Sequence, residues 1–177
     1  MMTKLLNLFS NRSIASKLAA MTIVGAICMA LVATSVLLVA RNQLIAERTE
    51  KAHAIVDAVW QIADGLQQAA VAGKMTEEEA KARFFATASS VWYEGHTNYV
   101  YMYDTETGIC IASPGAPTMV GRDMRDVKDA NGLPFAALLM DIARQGGAGS
   151  SIRYAFLRSG TDPTPLDKVA WARGFAP

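Results

Sequence analysis

An uncharged run of 23 residues, 18–40, constrains this chain more than any other feature and lies between Lys17 and Arg41. As a helix rising about 1.5 Å per residue it is roughly 35 Å long, enough to cross a bilayer core of about 30 Å. Its four Leu, two Ile and four Val residues contribute about −3 to −6 kcal/mol to membrane insertion. The hydroxyls inside the run can return hydrogen bonds to the helix backbone; they belong to Thr22, Thr34 and Ser35. We therefore predict a transmembrane helix over residues 18–40.

Two other interpretations of this run stay open. A buried helix of a soluble protein seldom exceeds about 14 wholly apolar residues. A cleaved signal peptide has an apolar region of about 7–15 residues, which is shorter than this run. The segment Leu38-Val39-Ala40 resembles a cleavage site only loosely. The length of the run favours an uncleaved anchor.

The flanking charges leave the orientation of the predicted anchor undecided. Three basic residues lie on each side, and nearby acidic residues count little; they are Lys4, Arg12 and Lys17 before the run, and Arg41, Arg48 and Lys51 after it. The free N-terminal amine favours a cytoplasmic leader over residues 1–17. Residues 41–177 would then lie outside the cytoplasm.

The remaining 137 residues (177 minus 40) correspond to one domain of ordinary size. A net charge of +1 argues against a nucleic-acid partner, which requires a basic face. Cys28 lies in the apolar run and Cys110 in the domain, so no disulfide framework is expected. His53 and His96 are 43 positions apart without a cysteine pair. No motif places a Ser or Cys beside a base, so we expect no enzyme, metal or cofactor.

The segment from Asn42 to about Ala72 is predicted to be one long amphipathic helix. It has no Pro, and its apolar positions recur in alternating steps of three and four; they are Ala52, Ile55, Val59, Ile62, Leu66 and Ala69. This seam suits either packing on the helix's own domain or pairing in a dimer, and the pattern allows both. No obvious hinge separates this helix from the membrane run.

The rest of the chain alternates between helical and strand patterns. Thr76 and Glu79 form a capping box before a helix that ends near Ser90. A period of two over 99–103, a turn at Asp104–Gly108 and a returning strand over 109–112 predict a β-hairpin. Further along we expect a helix after Pro134 with a buried face, a strand over 151–157 and a strand opening at 168–172; that face holds Phe135, Leu138, Leu139 and Ile142. The order predicts an α+β domain with helices in front of an antiparallel sheet.

Aromatic and basic side chains on this sheet indicate a binding site for a small polar ligand. Rings with hydroxyls and a few convergent donors suit such a pocket; the candidates are Tyr99, Tyr101, Tyr103, Tyr154, Trp92 and Trp171. Four cations are available to pair a carboxylate: Arg122, Lys128, Arg153 and Lys168. The tyrosines could equally be one face of a sheet packed on a helix.

Several motifs in order resemble a single Cache domain of type 2, as found in bacterial methyl-accepting chemotaxis proteins and in some histidine kinases. The most specific is Lys128-Asp129-Ala130-Asn131-Gly132. The other elements are Asn98-Tyr99-Val-Tyr-Met-Tyr-Asp104, Ser113-Pro114, Gly121-Arg-Asp123, Gly147-Ala-Gly149 and 168–177. The likeness covers roughly residues 41–177.

The resemblance implies a PAS-like antiparallel sheet under the long helix, in a dimeric sensor domain. That domain would lie in the periplasm and be anchored in the inner membrane. It would bind a small organic ligand such as an organic acid, and the corresponding pocket positions are Trp92, Tyr101, Ser113, Tyr154 and Lys168. Many relatives carry Arg where Trp92 stands and His where Ser113 stands, which weakens the case for a simple carboxylate ligand. Relatives also continue past Phe-x-Pro, so the domain is expected to be incomplete at its C-terminus.

Four functions stay open on these grounds. The first is the ligand-sensing part of a chemotaxis receptor, and the second is the sensor part of a membrane histidine kinase. The third is a membrane-tethered enzyme, against which the missing nucleophile and metal motifs count. The fourth is a structural anchor without a ligand.

Overall fold

The computed structural model describes residues 13–157 and 164–176. The chain divides into two units, Met1–Ala46 and Glu47–Pro177. The elements are α1 (Ile14–Val71), α2 (Glu77–Ala88), β1 (Trp92–Tyr93), β2 (Asn98–Tyr99), β3 (Met102–Tyr103), β4 (Cys110–Ala112), a 3₁₀ turn (Pro117–Met119), α3 (Phe135–Gln145), β5 (Ser150–Leu157) and β6 (Pro165–Ala172). Most of the predicted leader lies outside the described residues, and the predicted domain boundary after Ala40 stays a prediction.

In the first unit, α1 presents an apolar surface that nothing covers within the described residues. Its most apolar stretch has a mean hydropathy of 2.6 with no buried residue. The three hydroxyls inside the run donate to carbonyls one turn earlier, at 2.9, 2.8 and 2.8 Å, as expected; the donors are Thr22, Thr34 and Ser35. Among the described helices, α1 alone is long and apolar enough to cross a membrane.

In the second unit, the remainder of α1 packs along a narrower stripe than the sequence predicts. The helix runs through to Val71 without a break, which confirms the continuity expected from the sequence. Its buried positions are Ala52, Val59 and Ala63. Ile62, which belongs to the predicted seam, is 41% exposed. The small side chains at the buried positions let the rest of the domain approach the helix closely.

Arg173 joins the end of β6 to α1. Its guanidinium forms an ion pair with Asp57 and lies 3.8 Å from the centre of the Trp60 ring. Its Nε donates to the Gly147 carbonyl at 3.2 Å. Trp60 in turn donates from its indole nitrogen to the Gly174 carbonyl at 3.0 Å. One side chain therefore fixes the last strand, the loop before β5 and the long helix to each other.

Helix α2 begins at the capping box that the sequence predicts. The Thr76 hydroxyl accepts from the Glu79 amide at 3.1 Å, and the Glu79 carboxylate accepts from the Thr76 amide at 2.9 Å. Three glutamates in the first turn suit the positive end of the helix dipole. Ala80 and Ala88 are the buried positions of this helix.

The strands form three antiparallel pairs, β1 with β2, β3 with β4 and β5 with β6. The single strand predicted over 99–103 is wrong, because the chain changes its hydrogen-bonding partner midway. Tyr99 pairs with Trp92, the Val100 amide donates to the Val91 carbonyl at 3.1 Å, and Met102 pairs with Ala112. The predicted turn is present: the Gly108 amide donates to the Asp104 carbonyl at 2.9 Å, and the φ of Gly108 is +78°.

Helix α3 buries only part of the predicted face, since Phe135 and Leu139 are buried as expected. Its buried residues are Phe135, Ala136, Leu139 and Met140, whereas Leu138 is 36% exposed. The pattern assumed that the large aliphatic side chains face the core. Instead the core takes up Ala136 and Met140, which extends the buried stripe on the side of the helix away from Leu138.

Strands β5 and β6 are paired along their whole length, from Ser150 opposite Ala172 to Leu157 opposite Pro165. The strand predicted to open at Lys168 thus begins at Pro165 and has β5 as its partner. The alternating apolar residues of β5 face the main core cluster as predicted; they are Ile152, Tyr154 and Phe156. This cluster also holds Cys110, Met124 and the buried face of α3.

A candidate ligand cavity under the tyrosine row

A small, partly open cavity lies where the hairpin β3–β4, the segment after it, the start of α3 and the pair β5–β6 meet. Its volume is about 30 Å³, room for one or two water molecules. Its lining residues are Tyr99, Tyr101, Tyr103, Ser113, Ala116, Met119, Met124, Phe135, Tyr154, Phe156 and Lys168. The cavity combines apolar walls with several hydroxyls and one described cation, as small-ligand sites do.

Three tyrosines form one row across the cavity despite the break between β2 and β3. The ring centres of Tyr99 and Tyr101 are 6.2 Å apart, and those of Tyr101 and Tyr103 are 5.2 Å apart. The alternation of side chains therefore survives the change of strand partner. The Tyr101 hydroxyl is buried and has no partner at ordinary hydrogen-bond geometry within the described part of the chain, although, besides burial, an interaction with the Tyr154 hydroxyl contributes to the raised pKa of Tyr101. A buried donor of this kind favours a bound acceptor, because leaving it unpaired costs about 1–3 kcal/mol.

Burial sets the protonation of these phenols. It raises the pKa of Tyr154 to about 12 and raises the pKa of Tyr103 further. It also raises the pKa of Tyr101 well above its ordinary value. Phenols are protonated at neutral pH in any case, and the raised pKa values extend that state to alkaline pH, so each phenol can donate a hydrogen bond to an anion.

Lys168 supplies positive charge to the cavity from β6. It pairs directly with Tyr154 across the strands, so the two side chains share a face. Its ammonium nitrogen lies 5.3 Å from the centre of the Phe156 ring. This contact between a cation and an aromatic face holds the charge beside the phenols.

The segment 113–119 closes the cavity from the outside. Ser113 is buried, and its hydroxyl interacts with the Tyr99 phenol, partly offsetting the burial that raises the pKa of Tyr99. Gly115 lies so close to the Tyr99 ring that a Cβ there would overlap it. Met119 adds an apolar wall from the 3₁₀ turn. A ligand larger than water enters only if part of this segment or its neighbouring side chains moves.

Four of the five site residues that the resemblance implies line this cavity, and Trp92 does not. The four are Tyr101, Ser113, Tyr154 and Lys168. The Trp92 ring lies next to that of Tyr99, with the ring centres 5.2 Å apart. It does not contact the cavity because β1 pairs with β2 rather than with β3. Trp92 therefore lies next to Tyr99 outside the cavity lining, and its role in ligand binding stays a prediction.

The other candidates from the sequence lie elsewhere. Arg153 is 3.6 Å from Asp167 on the exposed surface, and Arg122 and Lys128 are exposed. Trp171 donates to the Ala148 carbonyl at 3.1 Å and stacks on a histidine of α1. Of the four candidate cations, only Lys168 is among the residues described as lining this cavity.

Sequence reasoning missed several cavity walls. Ala116 and Met124 belong to irregular backbone and Met119 to a short 3₁₀ turn, where no periodicity marks an inward-facing residue. Phe135 and Phe156 were placed on buried faces of their elements, but nothing in the pattern distinguishes a core face from a pocket wall.

A second, open groove of about 610 Å³ lies beside the first. Its lining residues are Asp129, Asn131, Gly132, Leu133, Pro134, Arg153, Tyr154, Ala155 and Asp167. Tyr154 lines both concavities. The Asp129 carboxylate in this groove already accepts hydrogen bonds from three backbone amides. Within the described residues, no group of three His, Cys, Asp or Glu side chains is arranged to hold a metal ion.

Comparison with known proteins gives consistent matches. The model of the family described as single Cache domain 2 matches residues 44–177. A periplasmic sensor domain of a chemotaxis protein superposes with a TM-score of 0.66 at 22% identity, covering 74% of this chain and 88% of that one. A Cache chemosensory domain described for carboxylic acid recognition superposes with a TM-score of 0.62 at 21% identity, over 73% and 86%. A methyl-accepting chemotaxis protein from Vibrio parahaemolyticus RIMD 2210633 superposes with a TM-score of 0.60 at 22% identity, over 75% and 83%.

Proposed function

This chain belongs to the single Cache domain 2 family, and we propose that it is the ligand-sensing part of a methyl-accepting chemotaxis receptor. Residues 41–177 would form a periplasmic sensor domain, and residues 18–40 would anchor it in the inner membrane. The family is one of sensor domains, not of enzymes. The ligand would be a small organic acid bound in the cavity under the tyrosine row.

The convergence of separate segments on one buried cavity carries this proposal. Tyr101, Ser113 and Lys168 come from three parts of the chain and line the same small space. A carboxylate there would meet one ammonium group and several neutral phenols, and it would satisfy the orphaned Tyr101 hydroxyl. The carboxylic acid recognised by one solved relative supports the same ligand class. Because the volume is about 30 Å³, the cavity would have to widen before an organic acid could enter.

A conformational change caused by ligand binding in the cavity would reach the membrane through β6 and α1. Lys168 lies on β6, and Arg173, five residues later, contacts Asp57 and Trp60 on α1. A ligand that holds Lys168 in one position would favour one arrangement of β6 against α1 over another. Such a shift requires different ligand affinities for the two arrangements, since equal affinities move no population. A homodimer with α1 at its centre would pass the shift on, and the exposed Ile62 is available for that contact.

A screen of the full chain in detergent micelles tests the proposal. Thermal unfolding would be followed with organic acids, amino acids and purines added in turn. A rise in melting temperature with small organic acids supports the sensor function, and no rise with any compound argues for a structural anchor. The histidine kinase alternative has the same sensor chemistry, so the binding measurement applies to both.

Replacing Lys168 by methionine is expected to weaken binding of the best organic acid by about 10-fold to 100-fold, as loss of a charge-assisted hydrogen bond costs about 1.5–3 kcal/mol. Isothermal titration calorimetry of the full chain measures this change. Lys128→Met is the matched control, because Lys128 is exposed and does not line the cavity. Equal affinities for the two variants would contradict the placement of the ligand.

Replacing Tyr101 by phenylalanine is expected to change stability and affinity in opposite directions. Without ligand, the variant loses a buried unpaired hydroxyl and should gain about 1 kcal/mol in the free energy of unfolding. With ligand, it loses a donor, and the affinity should fall about 2-fold to 10-fold. Urea unfolding and calorimetry measure the two effects, with Tyr93→Phe as the control outside the cavity. A variant that loses stability without ligand would show that the hydroxyl has a partner in the free protein.

A further inference from the structure

The Asp129 carboxylate holds together two segments that flank the cavity. Oδ1 accepts from the amides of Asn131 and Leu133, both at 2.8 Å, which fixes the turn before α3. Oδ2 accepts from the Ala155 amide at 2.7 Å, on β5. These backbone donors, Ala155 first among them, lower the pKa of Asp129 below its ordinary value. Asp129 is therefore ionised at neutral pH, and both of its oxygens are engaged.

Backbone hydrogen bonds reinforce the same junction. The Ala130 amide donates to the Ala155 carbonyl at 2.9 Å, so both polar groups of Ala155 are bound by the loop. The Asp129 amide also donates to the Leu133 carbonyl at 2.9 Å. The loop thus pairs with β5 at a single residue, and the carboxylate supplies one of the two bonds.

This junction lies directly behind three walls of the cavity. Ala155 stands between Tyr154 and Phe156, and side chains alternate along a strand, so its own side chain points away from theirs. Phe135 begins α3 two residues after Leu133, and its ring lies parallel to that of Tyr154 at 4.6 Å. Asp129 itself lines the open groove and not the cavity.

We propose that Asp129 is a positioning residue for the ligand cavity: by tethering Ala155 to the turn before α3, it sets where Tyr154 and Phe156 stand against Phe135. This inference takes its ligand from the proposed function. The hydrogen bonds of Asp129 on which it is built do not depend on that function. Asp129 touches no ligand and acts through the strand it holds. A residue that merely stabilised its own turn would leave the Tyr154 phenol unchanged in the folded protein.

The substitution Asp129→Asn distinguishes a residue that positions the cavity walls from one that only stabilises its own turn. The amide oxygen can keep the bonds from Asn131 and Leu133, while the new NH₂ group faces the Ala155 amide, donor against donor. The turn is retained and the tether to β5 is lost. Asp123→Asn is the matched control, because Asp123 bonds only Arg125 among its described partners and lies away from the cavity lining.

The first measurement needs no ligand. Absorbance of the tyrosinate ion in the full chain in detergent follows the ionisation of the buried phenols, at a temperature where circular dichroism shows every variant folded. Asp129→Asn is expected to lower the apparent pKa of the buried phenols, Tyr154 among them, by about one unit, because a loosened strand admits water. An unchanged titration, equal to that of Asp123→Asn, would overturn the proposal.

The second measurement uses sodium propionate as the probe, titrated by calorimetry under the same folded conditions. Asp129→Asn should weaken propionate binding about 10-fold, and Asp123→Asn less than about 2-fold. Equal affinities with a lowered melting temperature would reduce Asp129 to a stabiliser of its turn. If propionate does not bind the unmutated chain, the ligand proposal fails while the tyrosinate titration still decides this one. If Asp129→Asn does not fold, Asp129→Glu replaces it as the test variant. Glutamate keeps both carboxylate oxygens but displaces them by one methylene, so smaller changes in the phenol pKa and in propionate affinity are expected.

Discussion

Replacing Phe135 by alanine is expected to lower the free energy of unfolding by about 3–5 kcal/mol, the largest effect of any single substitution proposed for this chain. Phe135 is 3% exposed. Its ring lies parallel to that of Tyr154, with the ring centres 4.6 Å apart, and edge-on to that of Phe156, with the ring centres 5.5 Å apart. Truncation removes these contacts and joins the empty volume to the ligand cavity. Because the site is next to a small void, the neighbours have room to relax, which favours the lower end of the range.

Urea unfolding of the full chain in detergent, followed by tryptophan fluorescence, measures this loss. Phe85→Ala is the matched control, since Phe85 lies on α2 and is 37% exposed. The control should cost less than about 1 kcal/mol. Equal losses from the two variants would mean that Phe135 is not packed in the core as described.

Raising the pH from about 9 to about 11 is expected to lower the free energy of unfolding by about 3 kcal/mol. Burial raises the pKa values of Tyr101, Tyr103 and Tyr154 in the folded protein. In the unfolded chain each phenol loses its proton near about pH 10. The unfolded state therefore binds fewer protons than the folded state above that pH, so stability falls as pH rises. Each of the three tyrosines contributes about 1 kcal/mol by about pH 11.

The tyrosine origin of this loss is tested by removing one phenol. Tyr101→Phe should lose about one third less stability over the same pH range, because Tyr103 and Tyr154 remain as the other two phenols with strongly raised pKa values. Urea unfolding at several pH values measures the slope for both proteins. A slope that is equal in the variant and the unmutated chain would assign the alkaline loss to other groups.

Local features of the structure follow directly from the sequence. The capping box at Thr76 and Glu79 involves residues three positions apart, so its geometry is set within one helical turn. The turn ending at Gly108 likewise depends on a positive φ that glycine adopts without strain. The hydroxyls of the apolar run bond carbonyls four residues earlier. In each case the interacting groups are neighbours along the chain.

The structure differs from the sequence-based predictions where segments far apart in the chain contact each other. The strand over 99–103 is interrupted because Val91 supplies a carbonyl that no local pattern reveals. On α3, Ala136 and Met140 are buried because they belong to the core cluster that includes Tyr154 of β5. Side-chain size alone did not predict that these two positions face the core. Trp92 stands outside the cavity because its strand pairs with β2.

By itself the sequence determined an apolar helix long enough to span a membrane, an α+β domain after it and the family of that domain. These depend on composition, periodicity and short motifs, which are properties of adjacent residues. Only the tertiary structure decided that Tyr101, Ser113, Tyr154 and Lys168 share one cavity, that the Tyr101 hydroxyl is left unpaired there and that Asp129 holds the strand behind it. The physical reason is that burial and pairing across strands depend on contacts between residues far apart in the chain, and many different sequences share the same local pattern.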